Sequence, residues 1–600
     1  MPSPVNMAAS AARLDLVPNR NLLDAKFESY RLTLEPLPII RQAFQGGVQK
    51  VHLEDDQYGY LHVQMAGFIN ALVQDPWDAN TLFFMSEAHH VMWAHFSQES
   101  HLLEPKVVWK IPEPSGTCRA CTLDFPHAEW CLISDGQGTM YVLSSPSRPQ
   151  GEPWQLCYTH RLEWSQPGTI LLTSAHSNFP SSQQMECLLA YVSRPQDVQG
   201  SVSIPESTVH FVCVLEWLTF TCLSNCEGGS WSLRRHRRLV GASIPLYVAF
   251  DTHGNSLCMA SEKDFSFVFD SCKAEVGHEV EETKGGKSQE PPLYSFIQTA
   301  EEITVVFRLH EAATKKDIEV SLQVKGIEIL IEGKTVLKGD FPHAVVKDGS
   351  TWIILDQKLE IHLVKAKHGE VWREVVVGDA RGEEVFDPAF VEEIHARLAH
   401  LTSDTEALGS DKRSFNYHEL DECDATTEYF TFTRLCGDSH RATHQINLSG
   451  HQWLFSVRSS ADNMPALCLR HDVDGLVWQP RNVMADGDTD SFRVEHVATF
   501  NAFGYVQASK QDRKFVTASP DFSFVALCNA VRHVYLYRQP ETLGSSQELR
   551  NRKTGKEVSS IAKQHVISLE QCDNILGMVA NRRCIFILSP GALYAVKVPS

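Results

Sequence analysis

Cys118 and Cys121 are spaced C-x-x-C, the separation at which two sulfurs can face one zinc ion or exchange thiol redox chemistry. A structural zinc site needs four ligands, and the next cysteine, Cys131, has no partner at ligand spacing. The pair reads as coincidence in a chain with 16 cysteines. His471, Asp472 and Asp474 offer an imidazole and two carboxylates for a metal or for acid/base work. In a strand, however, His471 and Asp472 project to opposite faces. The flanking Cys468-Leu469-Arg470 and Leu476-Val477-Trp478 runs ask for a hairpin, so a polar turn is expected. His89 and His90 are neighbours on opposite faces of a strand and cannot chelate one ion together. The one dense basic run, Arg234, Arg235, His236, Arg237 and Arg238, has the charge for a phosphate or a nuclear signal. Lying between apolar stretches, it reads instead as a solvated strand end or hairpin.

Other chemistry is missing from the pattern. There is no Walker-type G-x-x-x-x-G-K-[ST] loop, no G-x-S-x-G elbow, no H-E-x-x-H and no dinucleotide glycine fingerprint opening a helix. The sequence therefore predicts neither a phosphate cradle nor an activated nucleophile, and no catalytic, cofactor-binding or metal-binding residue is assigned.

The elements around these residues are strands. From about residue 25 to 272, short apolar or alternating runs rich in Val, Phe, Leu, Trp and Tyr are punctuated by turn residues. Residues 129–143 read as a hairpin, with Asp135-Gly136-Gln137-Gly138 supplying the positive φ of a tight reversal. Residues 246–269 read as three strands with turns at 251–255 and 262–264. The same texture returns over 415–600, where 514–539 again give three strands around Ser519-Pro520-Asp521. Units of three or four strands at intervals of 40 to 60 residues predict a β-propeller-like domain made of both segments, although a large sandwich or an irregular barrel would give the same texture. Residues 1–24 are expected to be a flexible N-terminus. Residues 273–290 and 402–414, charged and poor in bulky apolar side chains, are expected to be linkers, the first of them acidic. Between them, 387–401 carries apolar Val391, Ile394, Leu398 and Leu401 at spacings of three and four after Pro388, which predicts a short helix.

Residues 291–379 have the clearest alternation. Ile318, Val320 and Leu322, then Ile327, Ile329 and Ile331, then Leu359, Ile361 and Leu363 each form one apolar face of a strand. Gly326, Gly333, Gly339 and Gly349 supply turns, so about seven antiparallel strands fit a β-sandwich. The ordered motifs YSFIQT from Tyr294, EEITVVFRL, KKDIEVSL, KGIEILIEGK, DGSTW, LEIHLVK and VWREVV resemble the CS domain of the NudC family. The flanks carry the same family resemblance in DAKFESYRLTLEPLP, DDQYGYLH, LDECD, CLRHDVDGLVWQP, HVATFNAFGYVQASK and NRKTGKEV. The resemblance implies a sandwich shared with small heat-shock proteins and with co-chaperones of the heat-shock protein 90 machine. It also implies association with client folding and dynein-linked transport. Tyr294, Phe296 and Trp372 are the residues assigned to partner binding, Trp372 because the module's end leaves room for a partly exposed anchor. Trp352, which follows a turn and opens an apolar strand, is expected in the core.

Composition fits this picture. A net charge of -20 repels phosphate backbones and anionic lipid, so neither nucleic acid nor a membrane surface is the expected partner. No run of about 20 apolar residues exists to span a bilayer, and the N-terminal stretch lacks the apolar core of a secretory signal. Cytoplasm and nucleus are the expected compartments. Reduced thiols such as Cys213 and Cys528 should then act as small core residues. The expected function is that of a non-enzymatic protein-interaction adaptor. Its expected partners are chaperone machinery, β-propeller clients, or dynein- and trafficking-related complexes. Two alternatives stand beside it: a stable scaffold subunit of a transport or trafficking complex, and an enzyme or small-molecule sensor housed in the propeller.

Overall fold

The turn Asp135-Gly136-Gln137-Gly138 joins Trp130–Ser134 to Thr139–Ser144. Gly136 and Gly138 sit at φ 71° and 90°, where a Cβ is disfavoured, and Asp135 Oδ1 accepts from the Gln137 and Thr139 amides. This hairpin belongs to a repeated unit in a computed structural model that describes residues 11–273, 294–384 and 430–599. Short stretches within these are excepted, the longest being 113–119, 163–167, 199–209, 224–229, 309–317, 485–489, 543–548 and 551–556. The linker 273–290, apart from Lys273, the linker 402–414 and the helix expected over 387–401 lie outside the described residues.

The chain divides into two units, Met1–Val276 with Asn416–Ser600, and Gly277–Phe415. In the first, among the described residues, seven sheets of four or more strands follow one another. The first holds Val73–Gln74, Thr81–Met85, His90–His95 and Lys106–Lys110; the second Thr122–His127, Trp130–Ser134, Thr139–Ser144 and Gln155–Arg161. The third is built on Ile170–Phe179, Ser182–Ser193, Val212–Leu223 and Trp231–Gly241, and the fourth on Tyr247–Phe250, Ser256–Ser261, Thr431–Cys436 and Ala442–Asn447. The fifth holds Gln452–Val457, Ala466–His471, Asp474–Met484 and Asp490–Phe500; the sixth Arg513–Ala518, Phe524–Asn529, His533–Thr542 and Ser560–Ser568. Gly577–Ala580, Cys584–Ser589 and Ala592–Lys597 make the seventh, completed by the early strand Ile39–Ala43, antiparallel to the last.

Each adjacent pair of sheets shares an apolar core. Phe83 packs with Phe125 between the first and second, Met140 with Leu189 between the second and third, and Trp217 with Leu257 between the third and fourth. Tyr247 and Trp478, then Val477 and Val525, then Phe524 and Ile587 continue the series, and Phe586 with Phe84 returns it to the first. The seven sheets therefore close into a propeller-like ring, and closure removes the open edge that a partial ring would expose. Because inner strands are covered on both faces, they read as unbroken apolar runs, as in the fully buried Thr81–Met85.

The structure corrects two expectations here. The described part of the N-terminal stretch, residues 11–24, is seated on the ring: Ala12–Leu14 runs parallel to Ala442–Asn447, Leu14, Leu16 and Leu23 pack against the core of the fourth and fifth sheets, and the Asn19 amide donates to His496 Nδ1. Tyr30–Leu32 similarly extends the sixth sheet along Ser560–Ser568. The third strand read in 246–269 exists as Phe265–Asp270, but it leaves its hairpin and pairs with Trp231–Gly241 of the preceding sheet.

That departure fixes where the second unit is inserted. Thr431 lies opposite Ser261, at the end of the fourth sheet where Phe265–Asp270 begins. Asp270 accepts from His440 Nε2, and Lys273 Nζ donates to Asp438 O, both beyond the other end of Thr431–Cys436. The outgoing and returning chains therefore attach to opposite ends of one strand.

The second unit is a sandwich of Thr351–Leu355, Lys358–Val364, Glu302–Arg308, Tyr294–Gln298 and Gly382–Glu384 against Ile318–Gln323, Gly326–Ile331 and Lys334–Asp340. The predicted alternation holds, with Ile318, Ile327, Ile329, Leu359, Ile361 and Leu363 buried in one cluster and Val320, Leu322, Ile331 and Trp352 packed against it. The sandwich also runs past the expected boundary at 379, since Gly382–Glu384 pairs in parallel with Tyr294–Gln298.

This register makes a sharp prediction. Ile329 is 0% exposed, and a carboxylate there has no partner, so Ile329→Asp should abolish the module's unfolding transition, at a cost of several kcal/mol. Glu328 points outward to Lys338 at 2.9 Å in a pair with side chains 37% and 65% exposed. Glu328→Lys should therefore cost no more than about 1 kcal/mol. Equal melting of the two variants, read by circular dichroism, would show the register to be wrong.

Candidate interaction sites

In the sandwich, Tyr294 and Phe296 project inward from Tyr294–Gln298, each 2% exposed, and Trp372 is fully buried. The Tyr294 ring packs tilted against Phe307 with centroids 5.1 Å apart, and Trp372 tilted against Phe341 at 5.4 Å. Burial pushes the Tyr294 hydroxyl up to about 12, with Asp379 adding to the rise. None of the three rings offers a face to a partner, which corrects the assignment of Trp372 as a partly exposed anchor. These side chains hold the sandwich together, and among its described residues the exposed large apolar side chains are Val324, Val346, Ile353 and Val377.

In the ring, the basic run proves to be an internal structure. Trp231–Gly241 is flanked by Val212–Leu223 on one side and Phe265–Asp270 on the other, so its side chains meet carboxylates from its neighbours. Arg235 forks onto Asp270 and also reaches Asp438. Arg237 donates to Glu186 Oε2 at 3.0 Å, with its guanidinium 3.7 Å over the Trp217 ring, and Glu186 also accepts from Thr219 and Trp217. Glu216 accepts from Arg238 at 2.7 Å and from Tyr191, and pairs with His236 at 2.6 Å. Of the five basic residues only Arg234 is exposed. Gly437 seals the site, since a Cβ there would fall 2.6 Å from the Trp217 ring. Burial raises the Glu216 carboxyl, but His236 and Arg238 outweigh it and hold it below its ordinary range. The same balance, with Arg235 as the leading partner, brings Asp270 down to about 2. A charge run that looked solvated is thus, apart from the exposed Arg234, a network of ion pairs centred on the third sheet.

His471, Asp472 and Asp474 do form the expected polar turn: Asp472 takes φ 54° between Ala466–His471 and Asp474–Met484, and Asp474 Oδ1 accepts the Ala502 amide at 2.6 Å. His89 sits in a turn at φ 58° and His90 opens the next strand. Cys118 lies outside the described residues, and Cys121 meets Gln49. Among the described residues no group of three or more His, Cys, Asp or Glu is placed to hold a metal ion. No described helix is long and apolar enough to cross a membrane.

A site that the motifs did not announce lies on the ring. Loops joining the first and second strands of four sheets line a cavity of about 1000 Å³, with Asp75 and Asn80 from the first, Arg458 to Ser460 from the fifth, Pro520 from the sixth and Asn581 to Arg583 from the seventh. Lys597, Asp124 and Cys584 also line it. Asp75 is spent on the buried Arg148, which it holds through two bonds of 2.8 and 3.0 Å. Burial pushes the Cys584 thiol up to about 11 against the pull of Lys597 and Arg583, which favours the thiol over the thiolate.

The CS domain family matches residues 292–365, the bulk of the sandwich. Over 600 residues the chain is 36% identical to the NudC domain-containing protein 1 of Xenopus laevis, covering 98% of this chain and 99% of the relative. The chain belongs to the NudC domain-containing protein 1 family. The relative from Mus musculus is 35% identical over 98% of this chain and 99% of its own length, so the family likeness takes in ring and sandwich alike. Among solved structures, the C-terminal WD40 domain of Sif2 aligns over 94% of this chain at a TM-score of 0.32 and 8% identity. The ring architecture rests on its own sheet pairing and not on that likeness. What sequence reasoning missed in this family member is the cavity: its cations are scattered from 458 to 597, and only the adjacent Arg582 and Arg583 left a local signal.

Proposed function

We propose that this chain is a non-enzymatic protein-interaction adaptor of the cytoplasm and nucleus, resembling a co-chaperone of the heat-shock protein 90 system. The observation that carries the reading is a CS sandwich with its own core, inserted within one sheet of a propeller-like ring. A sandwich held by its own core presents fixed outer strands and loops to a partner, while the ring supplies a second, separate surface. The names of the relatives and the CS match support protein partners, and the favoured thiol form of Cys584 speaks against nucleophilic chemistry by that residue in the ring's cavity.

The test uses the full chain beside the fragment 288–402. The fragment should fold by circular dichroism and, like the full chain, retain purified heat-shock protein 90 on a column, and neither should hydrolyse ATP above blank. An unfolded fragment, ATP turnover, or retention lost in both proteins would overturn the reading.

A further inference from the structure

The cavity on the ring has an uneven charge. Arg458, Arg582, Arg583 and Lys597 line it against two carboxylates, Asp75 and Asp124. Asp75 is already neutralised by Arg148, and Asp124 accepts the Ser174 hydroxyl at 2.7 Å. Five other arginines of this ring, Arg148, Arg235, Arg237, Arg238 and Arg434, each meet a carboxylate within 3.0 Å. No carboxylate among the described residues pairs with any of the four cavity cations. Arg582 and Arg583 are exposed in the loop after Gly577–Ala580, whereas Arg458 and Lys597 are half-buried. In a chain of net charge -20, four unpaired cations brought from positions far apart in sequence onto one concavity make a local field opposite to that of the whole molecule.

We propose that this cavity binds an acidic peptide segment of a partner protein. The proposal goes beyond the adaptor reading by giving the ring a ligand chemistry of its own, independent of what the sandwich engages. Guanidinium forks match carboxylates two bonds at a time, and three of the four cations are arginines. Pro76 adds apolar contact, whereas Gln74, Asn80 and Asn581 are already hydrogen-bonded within the loops, so the cations carry the recognition. A continuous phosphate backbone fits less well, because it would extend past the cavity along a chain whose net charge is -20.

The experiment titrates the full chain into a dye-labelled ten-residue peptide of alternating Glu and Ala, read by fluorescence anisotropy, beside the same peptide with Gln for Glu. Saturable binding of the Glu peptide is expected, with the Gln peptide at least tenfold weaker. The double substitution R582E/R583E should weaken the Glu peptide at least tenfold. R234E, which reverses an exposed charge away from the cavity, should change it less than twofold. R458Q/K597Q, checked for an unchanged melting temperature, should weaken it in the same direction. Absence of saturable binding, or equal losses in R234E and R582E/R583E, would overturn the proposal. So would a single-stranded oligonucleotide that outcompetes the peptide through the same arginines, which would reassign the site to nucleic acid. None of these outcomes depends on heat-shock protein 90 retention, so failure here and failure of the adaptor reading are read separately.

Discussion

Glu216→Leu should destabilise the ring by about 3–5 kcal/mol, the cost of stripping one partner from a buried ion pair. Glu216 is 1% exposed and Arg238 3%, and the carboxylate also receives the Tyr191 hydroxyl and the His236 ring. Leucine would leave the guanidinium buried without its carboxylate, and the hydroxyl without its acceptor. Removing both charges in E216L/R238M should recover most of the loss, since a buried pair replaced by apolar groups of similar volume is often near neutral. Urea unfolding followed by tryptophan fluorescence would check this, because Trp217 and Trp231 lie on strands beside the network. A loss below about 1 kcal/mol for the single variant would mean that water reaches Glu216.

The same network sets an acid limit. Glu216 and Asp270 both have folded-state values held below those of the unfolded chain. Their stabilisation is therefore complete above the unfolded carboxylate pKa near 4 and is lost as pH falls through the folded values, for Asp270 toward about 2.

Excising the inserted unit should succeed or fail on linker length alone. Lys273 and Phe430 attach to opposite ends of Thr431–Cys436, and a six-residue strand spans about 20 Å at roughly 3.3 Å per residue. A joint of three added residues reaches about 14 Å at most, so it should tear Phe265–Asp270 or Thr431–Cys436 from its sheet and give insoluble protein. A joint of twelve Gly/Ser residues reaches the span easily, and a longer flexible loop adds only about 0.6 kcal/mol per doubling. That variant should be monodisperse by size-exclusion chromatography and melt cooperatively. If the two joints behaved alike, the placement of the attachment points would be wrong, and if both aggregated, the ring would depend on the inserted unit.

Much of this was legible beforehand where one face of a strand is wet. Ile327, Ile329 and Ile331 alternate with Glu328 and Glu332, and the sandwich followed from that alternation. The ring's strands gave their existence, through runs such as Thr81–Met85, but not their partners, because a strand buried on both faces carries no sidedness. Arg237 and Arg238 show the cost of that loss: adjacent residues on opposite faces are both buried, each against a different carboxylate. The seating of residues 12–14 escaped notice because it rests on backbone pairing with Ala442–Asn447, which leaves little trace in side-chain pattern. The burial of Trp372 was beyond local reading too, since it depends on Phe341, brought near by the fold.

The pairing of Ile39–Ala43 with Ala592–Lys597 bears on how the protein is made. A ribosome adding about 5–20 residues per second takes on the order of half a minute to two minutes between those strands. Tyr30–Leu32 waits almost as long for Ser560–Ser568. The inserted sandwich waits for nothing outside itself, since every strand partner between Tyr294 and Glu384 lies within that stretch. During each round of synthesis a finished CS sandwich is therefore tethered to a half-built ring whose apolar faces are still open.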